Sequence, residues 1–163
     1  MASNANFISQ FVMGGDPCTY KESGELQAEM SKLTHPARPD VDWRQVEKLC
    51  LALFRQNGVE LQTLVCYVLA ITRRQGLAGM ADGLGSLDIL LQRWADFWPV
   101  QVHSRISLLG WVTEKMQQAL RTLDIQYQDL PQIYRCVQHL SAIETTLQQC
   151  ELWHMTKLDL LAG

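Results

Sequence analysis

Apolar residues recur along this chain at intervals of three and four, the spacing that gathers them on one face of a helix. No stretch alternates in the manner of a half-buried strand. Leu26, Met30 and Leu33 form a one-sided stripe that predicts a first helix over 21–34, closed by Pro36 and Pro39. Asp42 is placed to cap a second helix, because its carboxylate can accept from first-turn amides and faces the positive end of the helix dipole. Val46, Leu49, Cys50, Leu53 and Phe54 then keep helical period up to Asn57-Gly58, a C-terminal cap pair. A third helix over 60–74 is apolar at Leu61, Leu64, Val65, Val68 and Leu69 and again on its flank at Tyr67, Ala70 and Ile71. It is expected to be the most buried of all, with Arg73 and Arg74 matching its C-terminal dipole and Gly76 just beyond.

The fourth helix is expected to start within 78–82 and to carry Leu84, Leu87, Leu91, Trp94 and Trp98 in one row until Pro99 stops it. Ile106, Leu109, Val112, Met116, Leu120 and Leu123 mark the buried face of a fifth helix over 103–123. A sixth begins at Asp129-Leu130-Pro131, a capping aspartate and a first-turn proline, and runs through Ile133, Val137, Leu140, Glu144 and Leu147. Residues 1–20 read as an extended arm on the surface of the helical body, turning at Gly14-Gly15-Asp16-Pro17. The fold class is therefore all-α, an antiparallel bundle of about six helices with an extended N-terminal arm. Residues 21–151 form one helical domain, and 152–163 are an amphipathic tail that ends without a cap, as though leading into a downstream region.

Composition narrows the function classes. At 163 residues, 47% hydrophobic and 19% charged, the chain can bury one respectable core. A net charge of −3 supplies no broad electrostatic footprint for nucleic acid or anionic lipid, which leaves a protein as the expected partner. The first lysine is Lys21, so the N-terminus lacks the charged region of a secretory signal. The longest uncharged apolar run, 61–72, falls short of the roughly 20 residues a membrane span needs. Five cysteines, odd in number and set mostly inside helical patterns, read as free thiols used as small hydrophobes in a reducing cytosol.

Candidate chemistry is thin. The glycines at 76, 79, 83 and 85 invite a phosphate-loop reading, but no strand precedes them and no Gly-Lys-Ser/Thr follows. They read instead as a cap on the third helix and as room for the fourth to pack closely. Cys136, His139, Cys150 and His154 are ligand types for zinc, yet along one helix Cys136 and Cys150 stand about 21 Å apart, too far to share an ion. His103 and Ser104 are neighbours and hence point in different directions, which is no catalytic dyad. No catalytic, cofactor-binding or metal residues are assigned. Trp94 and Trp98 are expected inside, against the fifth helix, and Trp43 and Trp153 partly exposed.

The residues then line up in a familiar order. Gly15-Asp16-Pro17 in the arm, Asp42-Trp43 with Val46, Glu60-Leu61, Arg73 or Arg74 before Gly76, Gly79 and Gly83 ahead of Leu84, and Trp94-x3-Trp98-Pro99 together resemble the ImpA-type N-terminal domain. That domain belongs to the TssA family of bacterial type VI secretion proteins. Arg105, Leu108, Leu109 and Trp111 extend the likeness, which covers about residues 12–120. Cys18 and Val65-Cys66-Tyr67-Val68 depart from the family pattern, where a basic residue and a Trp-Leu pair are more usual. The stretch from Arg105 into a long sixth helix looks most like the VasL-like accessory, or TagA-type, branch.

The resemblance implies a non-catalytic scaffold with no cofactor, in contact with tail sheath, tube or baseplate proteins and able to form a homo-oligomer. It implies assistance in assembling, terminating or anchoring the contractile sheath. A baseplate-bound member that initiates tube and sheath polymerisation is the alternative. It also implies a cytoplasmic place, near the inner membrane if a downstream segment anchors it, with no membrane insertion by this segment. From other classes, a metal- or thiol-dependent enzyme and a nucleic-acid-binding helical module stay open, to be separated by thiol reactivity and salt-dependent DNA binding. A solvent-facing apolar patch is expected on the sixth helix or the tail.

Overall fold

A computed structural model describes residues 10–37, 39–93, 98–99 and 101–162, with side chains among these except those of 102 and 150–162. Among the described residues the protein is an all-α bundle of six helices: α1 (Lys21–Met30), α2 (Trp43–Gln56), α3 (Leu61–Gln75), α4 (Leu77–Leu91), α5 (Val102–Leu120) and α6 (Leu130–Ala162). Short 3-10 turns, Ser31–Leu33 and Tyr127–Asp129, follow α1 and precede α6.

Local chemistry sets most of these boundaries. The Asp42 carboxylate accepts from the Gln45 amide at 3.2 Å and starts α2, whose inward stripe of Val46, Leu49, Cys50, Leu53 and Phe54 is buried throughout. Glu60 caps α3 in the same way, accepting from the amides of Gln62 at 2.7 Å and Thr63 at 2.8 Å. Gly76 closes α3 and opens α4 as a single residue at φ 65°, a conformation that side chains with a Cβ rarely adopt. One residue between two 15-residue helices forces them back on each other.

Contact pairs give the directions. Glu22 meets Gln56 and Glu29 meets the Asp42 amide; Cys50 meets the Thr63 carbonyl and Glu47 meets Arg74. Gly79 lies against Ile71 and Gly83 against Val68. In each pair of helices the numbers rise on one side as they fall on the other, so α1 to α4 are antiparallel in sequence. α5 differs. Trp98, just ahead of it, sits at the start of α3, and Leu123, just after it, sits at Gly76, so α5 lies along α3 and runs the same way.

The centre is α3, enclosed by α2, α4 and α5 and buried at eleven of its 15 positions. α6 packs on the outer side of α4. The arm meets the bundle in parallel fashion at Met13 and Val59, where the Gly14 amide donates to Val59 O and the Val59 amide to Val12 O, both at 2.8 Å. Phe11 packs its ring on Phe54, centroids 5.8 Å apart.

Four expectations are corrected. α4 starts at Leu77 and ends at Leu91, so Trp98 is not in its row; because α3 and α4 have equal length, seven further residues would overshoot the end of α3 by about 10 Å. The chain instead turns at Gln92–Arg93, and Trp98 sits half-buried beside a buried Pro99. Trp94 lies outside the described residues, as does the side chain of Trp153. On α5 the inward side carries Arg105, Val112, Met116 and Ala119, while Ile106 is 58% exposed. On α6 the inward side is Ile133, Cys136, Ile143 and Leu147, and Val137 and Leu140 face out, because a helix apolar on several sides can be rotated without losing its period. Asp129 closes the 3-10 turn ahead of α6, its carboxylate accepting from the Gln126 amide at 2.8 Å. The described backbone of α6 runs to Ala162.

Candidate docking surface

Residues far apart in sequence converge at the start of α3. The Leu61 amide donates to Trp98 O at 3.0 Å, the Arg105 Nε to Pro99 O at 2.6 Å, and the Asn57 side-chain amide to Gly15 O at 2.9 Å. Asp16 accepts from the Cys18 amide at 2.9 Å and holds the turn into Pro17. Gly15, Asp16, Pro17, Trp98, Pro99 and Arg105 are thus gathered around one helix start, with Glu60 at its centre. Of the remaining members of the set, Trp111 walls a recess beside this junction, Asp42 caps α2, Trp43 lies half-buried under the Arg73 guanidinium at 5.8 Å, and Gly76, Gly79 and Gly83 form the α3–α4 seam.

Glu60 is fully buried, and removal from water pushes its carboxyl up from 4.5 to about 7. Hydrogen bonds from Thr63 and Gln62 pull the other way, and the nearby Asp16 charge adds to the rise. Its position as the cap of the central helix had one sequence signal, an acidic residue directly before a long apolar run. Arg105 was marked by its place in the ordered set and not by periodicity, since a cation on an inward face breaks the pattern that finds such faces.

Two recesses flank this junction and join along α5. One, of 310 Å³, lies between α1 and α5 over α3, with Leu26, Met30, Val65, Cys66, Leu108 and Trp111 among its walls. The other, of 610 Å³, is bounded by Trp98, Pro99, Gln101, His103 and Ser104, and shares Gln62, Ser107 and Leu108 with the first. Among the described residues no Asp, Glu, Lys or Arg lines either recess. The result is one open groove with an apolar floor and an uncharged polar rim. It holds His103 and Ser104 side by side at its edge.

The thiols are poorly suited to nucleophilic work. Burial pushes Cys50 well above its ordinary value, Cys66 up to about 12, and Cys136 upward. Cys18 is exposed, but its hydrogen bond with Asp16 raises it too. Cys136 faces the Leu77 carbonyl across the α4–α6 contact, while His139 faces Asp88 at 3.8 Å. The side chains of Cys150 and His154 lie outside the described residues. Among the described residues no group of three or more His, Cys, Asp or Glu is placed to hold a metal ion, and no helix is long and apolar enough to cross a membrane.

A second surface is apolar and outward. Tyr127, in the 3-10 turn ahead of α6, is 90% exposed, and Tyr134 and Val137 along the first turns of α6 are 62% and 53% exposed, with Leu130 and Leu140 beside them.

Comparison with known families assigns the class. Residues 8–114 match the family described as ImpA, N-terminal, type VI secretion system, and the chain belongs to that family. The family is a structural or accessory one of the secretion system and not a known enzyme family, and it points to protein partners within that system. Neither a curated protein nor a solved structure matches the chain. The matched segment takes in the arm, α1 to α4, the groove and most of α5, and it ends before α6.

Proposed function

We propose that this chain is a non-catalytic docking and scaffold domain of a TssA-like type VI secretion protein, on the VasL-like (TagA-type) accessory branch. In this reading it assists assembly of the contractile tail sheath, or its termination and anchoring, from the cytoplasmic side. The domain spans 21–151, with 152–163 as an amphipathic tail. The observation that carries the reading is the groove over α3. It lies wholly within the family-matched segment, and the motif residues beside it are occupied in building it, as caps, carbonyl anchors and a turn. An apolar floor with an uncharged rim suits a segment of a protein partner, not a polyanion.

Leu108, half-buried where the two recesses join, is the residue to change. Wild-type protein is expected to capture purified sheath, tube or baseplate components, and Leu108→Glu to weaken that capture at least tenfold while retaining its helical circular dichroism. Capture of none of the three by folded wild-type protein overturns the docking reading. Equal capture by Leu108→Glu removes the groove from it. Sheath as the captured component favours the accessory branch, and baseplate the initiating one.

A further inference from the structure

We infer that the outward face of α6 pairs with the same face of a second copy of this chain, the two α6 helices running antiparallel. The inference is independent of what occupies the groove. α6 carries two apolar rows. The inner row, Ile133, Cys136, Ile143 and Leu147, packs on the core. The outer row is Leu130, Tyr134 and Val137, continued by the polar Ser141 and Glu144 in the 4, 3, 4, 3 spacing of a helix-pairing seam. Tyr127, in the preceding turn, extends it at the other end.

Area, charge and register each point to a second copy. Tyr127, Leu130, Tyr134, Val137 and Leu140, with Ile125, leave roughly 600 Å² of apolar and aromatic surface bare, the upper end of what a monomer usually exposes. Two such faces together remove roughly 1,200 Å², the lower bound of a stable interface. Between Asp129 and Glu144 the basic side chains are Arg135 and His139, with no further acid, and both turn to α4: Arg135 Nη2 is 2.7 Å from Asp82, and His139 Nδ1 is 3.8 Å from Asp88. The ridge therefore meets its own copy without opposing like charges, the condition for a closed two-fold contact.

A two-fold axis between Tyr134 and Val137 sets Tyr134 against Val137 of the second copy and Leu130 against Ser141. It also brings the Tyr127 hydroxyl to the Glu144 carboxylate. A slip of one heptad in one direction puts Glu144 on Tyr134; in the other it leaves little more than one helical turn of overlap. One register satisfies the row. The face lies beyond residue 114, outside the segment shared with the family, so the pairing belongs to this chain's own extension.

Sedimentation velocity on the full chain between 5 and 300 µM is expected to show a monomer–dimer equilibrium. Val137→Glu sets a carboxylate against Tyr134 and should weaken pairing at least tenfold, with helicity and unfolding midpoint of the monomer unchanged. Register is read by disulfide formation in a Cys18→Ser, Cys150→Ser background. Leu130→Cys mixed with Ser141→Cys should cross-link, and Leu130→Cys alone should not. A wild-type monomer at 300 µM overturns the inference. So does dimerisation of Val137→Glu with wild-type affinity, or cross-linking of Leu130→Cys alone.

Discussion

α3 and α6 look alike as strings of residues and differ as objects. Each is apolar on more than one side, yet α3 is buried at eleven of 15 positions, while Cys136 and Ile143 are the buried hydrophobics of α6 among the described residues. The difference is the number of neighbours. α3 touches α2, α4 and α5; α6 rests mainly on α4. Helical apolar surface without a neighbour has two outcomes, a wetted ridge or a partner, and α6 has enough of it to favour the second.

The sharpest test of the α3 side is Gly79→Ala. In a helix this exchange normally gains about 0.5–1 kcal/mol through backbone entropy. Here a Cβ would lie 2.0 Å from the Ile71 carbonyl oxygen, a backbone atom that cannot step aside without parting α3 from α4. The sign reverses, to an expected loss of more than about 3 kcal/mol in chemical denaturation. Gly24→Ala on α1 meets nothing within 4 Å and should show the ordinary gain. Equal effects at the two positions would remove close approach as the reason for the glycine.

Glu60 gives the next largest effect. Its folded value of about 7 lies above the ordinary 4.5, so between these limits the native state holds a proton that the unfolded chain has released. Stability from this group is full below about pH 4.5 and falls as pH rises to 7, on the order of 3 kcal/mol in all. Denaturant midpoints at pH 4.5 and 8 should diverge in that direction, and Glu60→Gln should flatten the slope. A wild-type profile that rises through this window would contradict the burial argument.

What the chain made legible followed from local rules. Asp42 as a cap, the stripe from Val46 to Phe54 and the burial of α3 each depend on neighbours within one or two turns, and the structure places them accordingly. Where α4 ends does not. Its row from Leu84 to Trp98 continues in sequence, but the length of α3 decides where the bundle stops. The junction of Gly15, Glu60, Trp98 and Arg105 was legible as an ordered set and not as a place, because backbone carbonyls join its parts and leave no mark on residue type. On α6 the row through Ile133, Val137 and Leu140 has the right period and the wrong rotation, and only contact with α4 selects Cys136 and Ile143.

That rotation has a measurable consequence smaller than the others. Ile143 is 8% exposed and belongs to the core, so Ile143→Ala should cost about 2 kcal/mol or more by opening a cavity against α4. Val137, six residues earlier and just over half exposed, is not one of the buried core residues. At micromolar protein Val137→Ala should stay within about 0.5 kcal/mol of wild type. If α6 pairs with a second copy, that near-equality is a property of dilution, because a dimer that binds only the folded state adds stability in proportion to the logarithm of concentration. Raising both proteins to 300 µM should then lift the wild-type midpoint and leave Val137→Ala behind, while the Ile143→Ala deficit persists at either concentration. A Val137→Ala deficit as large as that of Ile143→Ala at low concentration would mean that the outward row is an inward one, and the distinction between α3 and α6 would fall with it.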